Sequence, residues 1–370
     1  MASTCDELLE ICLSGGEWSP YLLDRAIAED DGRALLSRVV EPLADRFDPE
    51  LCAIYERLFR RVIERVAPDL TPRLRSPSAS GLPAKADRVY VLSRITLGAD
   101  VAVTSVLLDA AKRRYPAAEI FFVGPRKNYE LFEADTRLRH LEFSYARGGT
   151  LRERLGAKLW LDDGVVIDPD SRITQLGLLR VCPEERYCHF PSRSYGADTK
   201  GRLPDLAAQW AGDPQARPHV APLAATGPPA DITVSLGVGE NPAKRLDEAF
   251  ERDLLRLLST TRATVLVDKG GTAEERDRVE RALLSGMRAH EGAFAPFAAE
   301  IARSKLFVGY DSAAGHVASA CGIALISVAK GFVSPRMAAR WRPLGTVIDG
   351  ESPDVLDQVR RALATCAFRR

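Results

Sequence analysis

Residues 305–328 narrow the choice of fold more than any other stretch of the chain. Leu306, Phe307 and Val308 form an apolar run of the kind a buried strand requires, and residues 323–328 form another. Between them lie mostly small residues, with Asp311 or Ser312 placed to cap a short helix and Gly322 placed to end it. A strand, tight turn, helix and strand in so short a segment predict a parallel βαβ unit, whose sheet has to be covered on both faces.

The same order recurs along the chain. Residues 88–123 read as strand, loop, amphipathic helix and strand, and residues 231–258 as strand, glycine-bearing basic loop and helix with Phe250, Leu254, Leu257 and Leu258 on one face. Residues 264–284 repeat the pattern with a charged helix. Apolar runs at 158–161 and 165–167 predict further strands, residues 294–302 a helix, and residues 353–368 a closing helix. Proline-rich stretches at 67–83 and 214–229 read as linkers. Ahead of the first, Leu51, Ile54, Tyr55, Leu58, Phe59 and Val62 recur at helical spacing, with Pro49 suited to a helix start. A chain of 370 residues exceeds one ordinary core. The predicted division is a helical unit over 1–70, a linker over 71–86, and α/β domains over 87–225 and 230–370.

A helix that opens at the carboxyl end of a buried strand offers free N–H groups and the positive end of its dipole to an anion. Asp311, Ser312 and His316 crowd that end of the 305–328 stretch, and Ala313, Ala314 and Gly315 leave its backbone accessible. An ordinary turn of a doubly wound sheet has the same spacing, so the residues alone leave both readings open. Lys244 closes the basic loop 237–245, which lacks the Gly-Lys-Ser/Thr of a Walker loop. A solvated lysine is the plain alternative there, as a helix N-cap is for Asp100.

Residues 311–322 resemble the Asp-Thr-Gly-x-x-His-Leu-Ala-Ala-Ala-Leu-Gly segment of family 9 glycosyltransferases, the heptosyltransferase-like family. Asp311, Ser312, Ala313, His316, Val317, Ala318 and Gly322 stand at its positions; Ser312 keeps the hydroxyl of Thr, and Ala313 adds a methyl where the family has Gly. The loop after the first strand is similar to the family's Arg-x-x-x-Leu-Gly-Asp-Val: Arg94, Asp100 and Val101 match, while Gly98 stands for Leu and Ala99 for Gly, a place where Ala tolerates positive φ poorly. The resemblance spans about residues 87–350.

What the resemblance implies is a GT-B architecture: two Rossmann-like, doubly wound parallel-sheet domains, here with an N-terminal helical extension. It implies Asp100 as the general base, and Lys244 with Asp311, Ser312, Ala313 and His316 on the donor's diphosphate and sugar. Arg94 would orient the acceptor or a phosphate. The implied activity is metal-independent, inverting transfer of a sugar from a nucleoside-diphosphate donor, ADP-heptose being one candidate, to a glycan, lipid or protein. The departures at Gly98, Ala99 and Ala313 favour the alternative of an inactive nucleotide-sugar-binding module that acts on a protein partner through residues 1–70. Outside the resemblance and behind a linker, residues 1 to about 80 are expected to be dispensable for donor binding.

Composition excludes other classes. Lys plus Arg and Asp plus Glu are both 51, so no global basic field favours nucleic acid. Seven scattered cysteines without a Cys-x-x-Cys pair, and an N-terminus without an apolar signal segment, lead to an expected cytoplasmic location. No apolar run reaches the roughly 20 residues of a membrane span, so any membrane association is expected to be peripheral, at the inner membrane. Cys182, Cys188 and His189 lack a fourth metal ligand, Asp168-Pro169-Asp170 reads as an Asp-Pro turn, and no metal or cofactor is expected. Tyr187, His189, Arg193, Tyr195 and Lys200 form a polar aromatic segment that suits either an acceptor-facing surface or a plain loop.

Overall fold

A computed structural model of the chain describes residues 3–76, 81–156, 158–197, 199, 201–239 and 241–366. The N-terminal unit is helical, as its periodicity predicts. Helices Thr4–Leu13, Pro20–Ala28 and Pro49–Val66 begin at Ser3, Ser19 and Asp48, whose side chains accept from the free N–H groups of the first turns. Their buried faces form one core with Leu151, Leu155, Leu176, Leu178 and Leu179 of the domain that follows. The helical unit is therefore no free appendage. The Tyr55 hydroxyl donates to the Gln175 carbonyl at 2.5 Å, and the Arg75 N–H to the Leu178 carbonyl at 2.8 Å. Within the predicted linker, Pro68–Arg73 is a 3-10 turn, Leu74 pairs with Leu179 and Arg75 is buried.

The first α/β domain holds β1 (Arg88–Leu92), β2 (Glu119–Gly124), β3 (Leu138–Glu142), β4 (Val165–Asp168) and β5 (Tyr187–His189), paired in parallel in the order β3-β2-β1-β4-β5. The second holds β6 (Ile232–Ser235), β7 (Val265–Asp268), β8 (Arg288–His290), β9 (Leu306–Tyr310), β10 (Ala324–Ala329) and β11 (Thr346–Asp349), parallel in the order β11-β10-β9-β6-β7-β8. In each sheet the chain works outward from a central strand and then returns to its other side. The topological switch points thus lie between β1 and β4 and between β6 and β9, where ligands of such sheets sit, beyond the carboxyl ends of the strands.

Two sequence expectations are corrected. Residues 158–161 form no strand, because β4 and β5 fill that side of the sheet; Leu159 and Leu161 instead pack over its face. Tyr187 and His189 belong to the buried strand β5 and Arg193 is buried behind it, so of that segment Tyr195 alone is partly open among the described members; Lys200 lies outside the described residues. The closing helix runs Val355–Thr365 and buries Val355, Val359 and Leu363 in the second domain's own core; Phe368 lies outside the described residues. Among the described residues no helix is long and apolar enough to cross a membrane. Between the domains, Val317 and Ala318 share a core with Val101, Ala102 and Val106, which brings the two switch points face to face.

Candidate active site

In the second domain, β9 runs straight into the helix Ala313–Ala320. Ser312 holds the N-cap position in extended backbone, yet its side chain makes no capping bond, and its buried hydroxyl has no partner. The far end is closed by a Schellman motif: Gly322 has φ +68°, the Ile323 N–H donates to the Ala318 carbonyl at 3.0 Å and the Gly322 N–H to Ser319 at 3.3 Å. Lys244, at the end of the turn Pro242–Lys244, donates to the Asp311 carboxylate at 2.5 Å and lies 5.5 Å from the centre of the Phe332 ring. The Tyr310 hydroxyl accepts the Leu246 N–H at 3.2 Å and donates to Glu251 at 3.1 Å, fixing the approach of the two loops. Burial lowers the proton affinity of His316 against the pull of Asp311, with the charge of Lys244 acting in the same direction as burial, so its ring is neutral at pH 7. An anion at this end would meet a positive helix terminus, an unused hydroxyl and a lysine for which it competes with Asp311.

In the first domain, Asp100 is 0% exposed. One carboxylate oxygen accepts from the Arg94 N–H at 2.7 Å and the Thr104 hydroxyl at 2.6 Å; the other accepts from the Ser93 hydroxyl at 2.7 Å and the Asn128 amide at 2.6 Å. Burial raises its proton affinity, and the four donors hold that rise back. Asp100 is not a helix N-cap, since the helical backbone already begins at Leu97. Nor does Ala99 need positive φ: it is right-handed, at φ −72°. The strain lies at Ile95, a β-branched residue at φ +72°.

Arg94 is 3% exposed and donates to the Pro169 carbonyl at 3.0 Å and to the Ser192 hydroxyl. Beside it, Asp170 accepts from Ser192 at 2.8 Å and the Arg193 N–H at 2.9 Å, and pairs with His189 at 2.7 Å. Burial works against the Asp170 carboxylate, but His189, Arg193 and Arg94 together pull it down to about 2. Asp168 accepts the Ser171 N–H at 2.7 Å, the turn geometry read from Asp-Pro-Asp. Among the described residues no three His, Cys, Asp or Glu side chains gather as metal ligands.

The two halves meet at Gly98. A Cβ there would stand 3.2 Å from Ala313 Cα and 3.1 Å from His316 Cδ2. Two of the positions that depart from the family pattern, 98 and 313, therefore touch, and the larger Leu that the family carries at the first would not fit this arrangement. The loop of the first domain thereby covers the opening of the helix Ala313–Ala320. Trp341, closing the helix Pro335–Trp341, lies 5.6 Å from the His316 ring, 5.7 Å from the Arg94 guanidinium and, edge-on, 6.1 Å from Phe47 of the helical unit. The sequence pattern assigned no site role to Phe47 or Phe332, and marked Trp341 only as part of the segment 334–343, which resembles a late segment of some members of the family. The signal it had was an aromatic residue at either side of the proline-started segment 334–341.

No protein-family model and no curated protein matches the sequence. Among solved structures the chain is similar to Escherichia coli heptosyltransferase WaaC with ADP, at 16% identity over 76% of this chain and 100% of that chain, TM-score 0.53. A glycosyl transferase family 9 protein from Veillonella parvula shares 15% identity over 78% and 99% of the two chains, TM-score 0.53. The E. coli ADP-heptose lps heptosyltransferase II shares 17% over 75% and 98%, TM-score 0.52. At this identity the likeness shows the fold: the chain has the two-domain, Rossmann-like GT-B architecture of these proteins.

Proposed function

We propose that the chain transfers a sugar from a nucleoside-diphosphate donor, bound at the switch point of the second sheet, to a hydroxyl presented from the first. The observation that carries this reading is the opening of the helix Ala313–Ala320, where the partnerless Ser312 hydroxyl and the Lys244–Asp311 pair converge. A departing diphosphate needs positive charge where its own charge grows; Lys244 and the helix end supply it without calling on a metal. Direct displacement of the diphosphate by the acceptor hydroxyl gives inversion. ADP-heptose is a candidate donor because the neighbours in fold carry ADP-heptose or ADP in their names; the acceptor is a glycan, lipid or protein. Burial raises the proton affinity of Asp100, which suits a proton acceptor, and Gly98 in the same loop already touches the donor helix. For Asp100 to act, the loop has to lift from Ala313. Arg94 would then face the acceptor.

A second reading, a nucleotide-sugar-binding module without turnover, is favoured by one observation: all four hydrogen bonds of the enclosed Asp100 carboxylate are taken. Incubation with labelled donor and chromatography of the products separates the two. Transferred label supports the first reading; an unchanged donor, bound but not consumed, supports the second. For the shared donor site, Lys244→Ala should weaken nucleoside-diphosphate binding about ten- to a hundredfold, the loss of one charge-assisted contact, and unchanged affinity in calorimetry would remove the site from both readings.

A further inference from the structure

We propose that the cavity between the two α/β domains is a second binding site, for an organic phosphate, separate from the donor pocket at Lys244 and independent of whether the chain transfers a sugar. The cavity has a volume of about 580 Å³ and is lined from the first domain by Arg202 and Arg217 and from the second by Arg340, Trp341 and Arg342. Arg202 is already neutralised by two hydrogen bonds to Asp205, at 2.9 and 2.9 Å. The others are not. The Arg217 guanidinium donates to the carbonyls of Pro214 and Ala216, and Arg340 to those of Gly201 and Ala197. Arg340 is 1% exposed, and its Nε is buried without any partner. Among the described residues no carboxylate forms an ion pair with Arg217, Arg340 or Arg342.

A buried cation without a counter-charge is costly, and of the three arginines Arg340 is the buried one. Among the described residues, the buried Arg340 and the exposed Arg217 and Arg342 have no carboxylate partner around this one cavity, an arrangement that fits an anion arriving from solution. A phosphate dianion offers three oxygens and two charges to be shared by arginines approaching from both domains, whereas a carboxylate serves a single fork. The volume far exceeds a phosphate, and Ala102, Pro204, Ala208, Pro343 and Leu344 furnish a wall for an uncharged remainder. The nearest part of the donor pocket, His316, borders the cavity, yet Lys244 and Asp311 do not line it.

The test is calorimetry on the full chain with glucose 6-phosphate, inorganic phosphate, glucose and a nucleoside diphosphate. The sugar phosphate should bind and glucose should not. Arg342→Ala and Arg217→Ala, both at exposed positions, should each weaken it about ten- to a hundredfold with the melting temperature as the control for folding, while Lys244→Ala leaves it unchanged. The nucleoside diphosphate should show the reverse pattern, so failure of this site and failure of the donor site give different results. Absence of sugar-phosphate binding at millimolar concentration, or an affinity unmoved by both arginine variants, would overturn the proposal. Loss of binding in Lys244→Ala would show one site rather than two, and inorganic phosphate binding as tightly as the sugar phosphate would overturn the organic ligand.

Discussion

Replacing Asp100 by Asn leaves one oxygen facing the Arg94 N–H and the Thr104 hydroxyl and turns the other into a donor. That donor still finds acceptors, because Asn128 can present its Oδ1, an atom now buried without a partner, and the Ser93 hydroxyl can rotate. Stability should fall by only about 1 kcal/mol, whereas Asp100→Ala strands the Arg94 N–H and the Asn128 amide and should cost roughly 2–6 kcal/mol in denaturant unfolding. If Asp100 is the base, turnover of labelled donor by the Asn variant drops about a hundredfold to ten-thousandfold at nearly unchanged stability. Turnover at the wild-type rate would move the reading to the binding module. His316 gives a test by pH. Its folded proton affinity is lowered from the 6.5 of the free side chain, so below that value the unfolded chain takes up a proton the fold refuses. Stability contributed this way is complete above 6.5 and declines as the pH falls from there. Unfolding measured between about pH 5 and 7 should therefore show a shallower decline in His316→Gln than in the wild type; equal slopes would place the dependence elsewhere.

Helices and loops show the same division between what local pattern encodes and what it does not. Gly98→Leu restores the family's residue but drives a side chain into Ala313 Cα and the His316 ring. Overpacking of this kind removes about 1–3 kcal/mol from the closed arrangement, and if the donor needs the helix end uncovered, apparent nucleoside-diphosphate affinity rises by up to the same amount, roughly 5- to 150-fold. Calorimetry decides it: unchanged affinity would mean that the loop does not compete with the ligand. The βαβ units around β1, β6 and β9 were legible because each pairs an apolar run with a helix of the right period. The edge strands β3 and β8 were not, since Arg139, His140, Arg288 and His290 face solvent enough to break the apolar pattern. The helix Ala313–Ala320, its N-cap position and its Gly322 stop were readable from spacing. The enclosure of Asp100 was not, because Asn128 and Ser93 reach it from other turns of the chain, and the contact of Gly98 with Ala313 depends on how two domains dock.

At the scale of the molecule, the helical unit is either an appendage or part of one folded body with the two α/β domains. Its sequence lies outside the resemblance, which supports removal without consequence; its packing supports the opposite. Deleting residues 3–70 would bare Leu151, Leu155, Leu176, Leu178 and Leu179, each buried against its helices. At about 1.5–3 kcal/mol for each side chain, that loss is of the order of the whole stability of a folded protein. The deletion would also leave Arg193 without Asp45 and the Gln175 carbonyl without Tyr55. Trp341, which touches both Arg94 and His316, would lose the edge of Phe47, and the Ser334 hydroxyl and Arg336 guanidinium would lose the carbonyls of Arg46 and Phe47. The truncated chain is therefore expected to aggregate or to lose a cooperative melt. A milder change isolates the seam: Tyr55→Phe removes one donor from the buried Gln175 carbonyl and should cost about 1–3 kcal/mol while nucleoside-diphosphate affinity stays within twofold. A truncated chain that melts cooperatively at the wild-type temperature and keeps any nucleoside-diphosphate affinity of the full chain would show that the helices merely rest on the two α/β domains, and that the resemblance marks the true edge of their core.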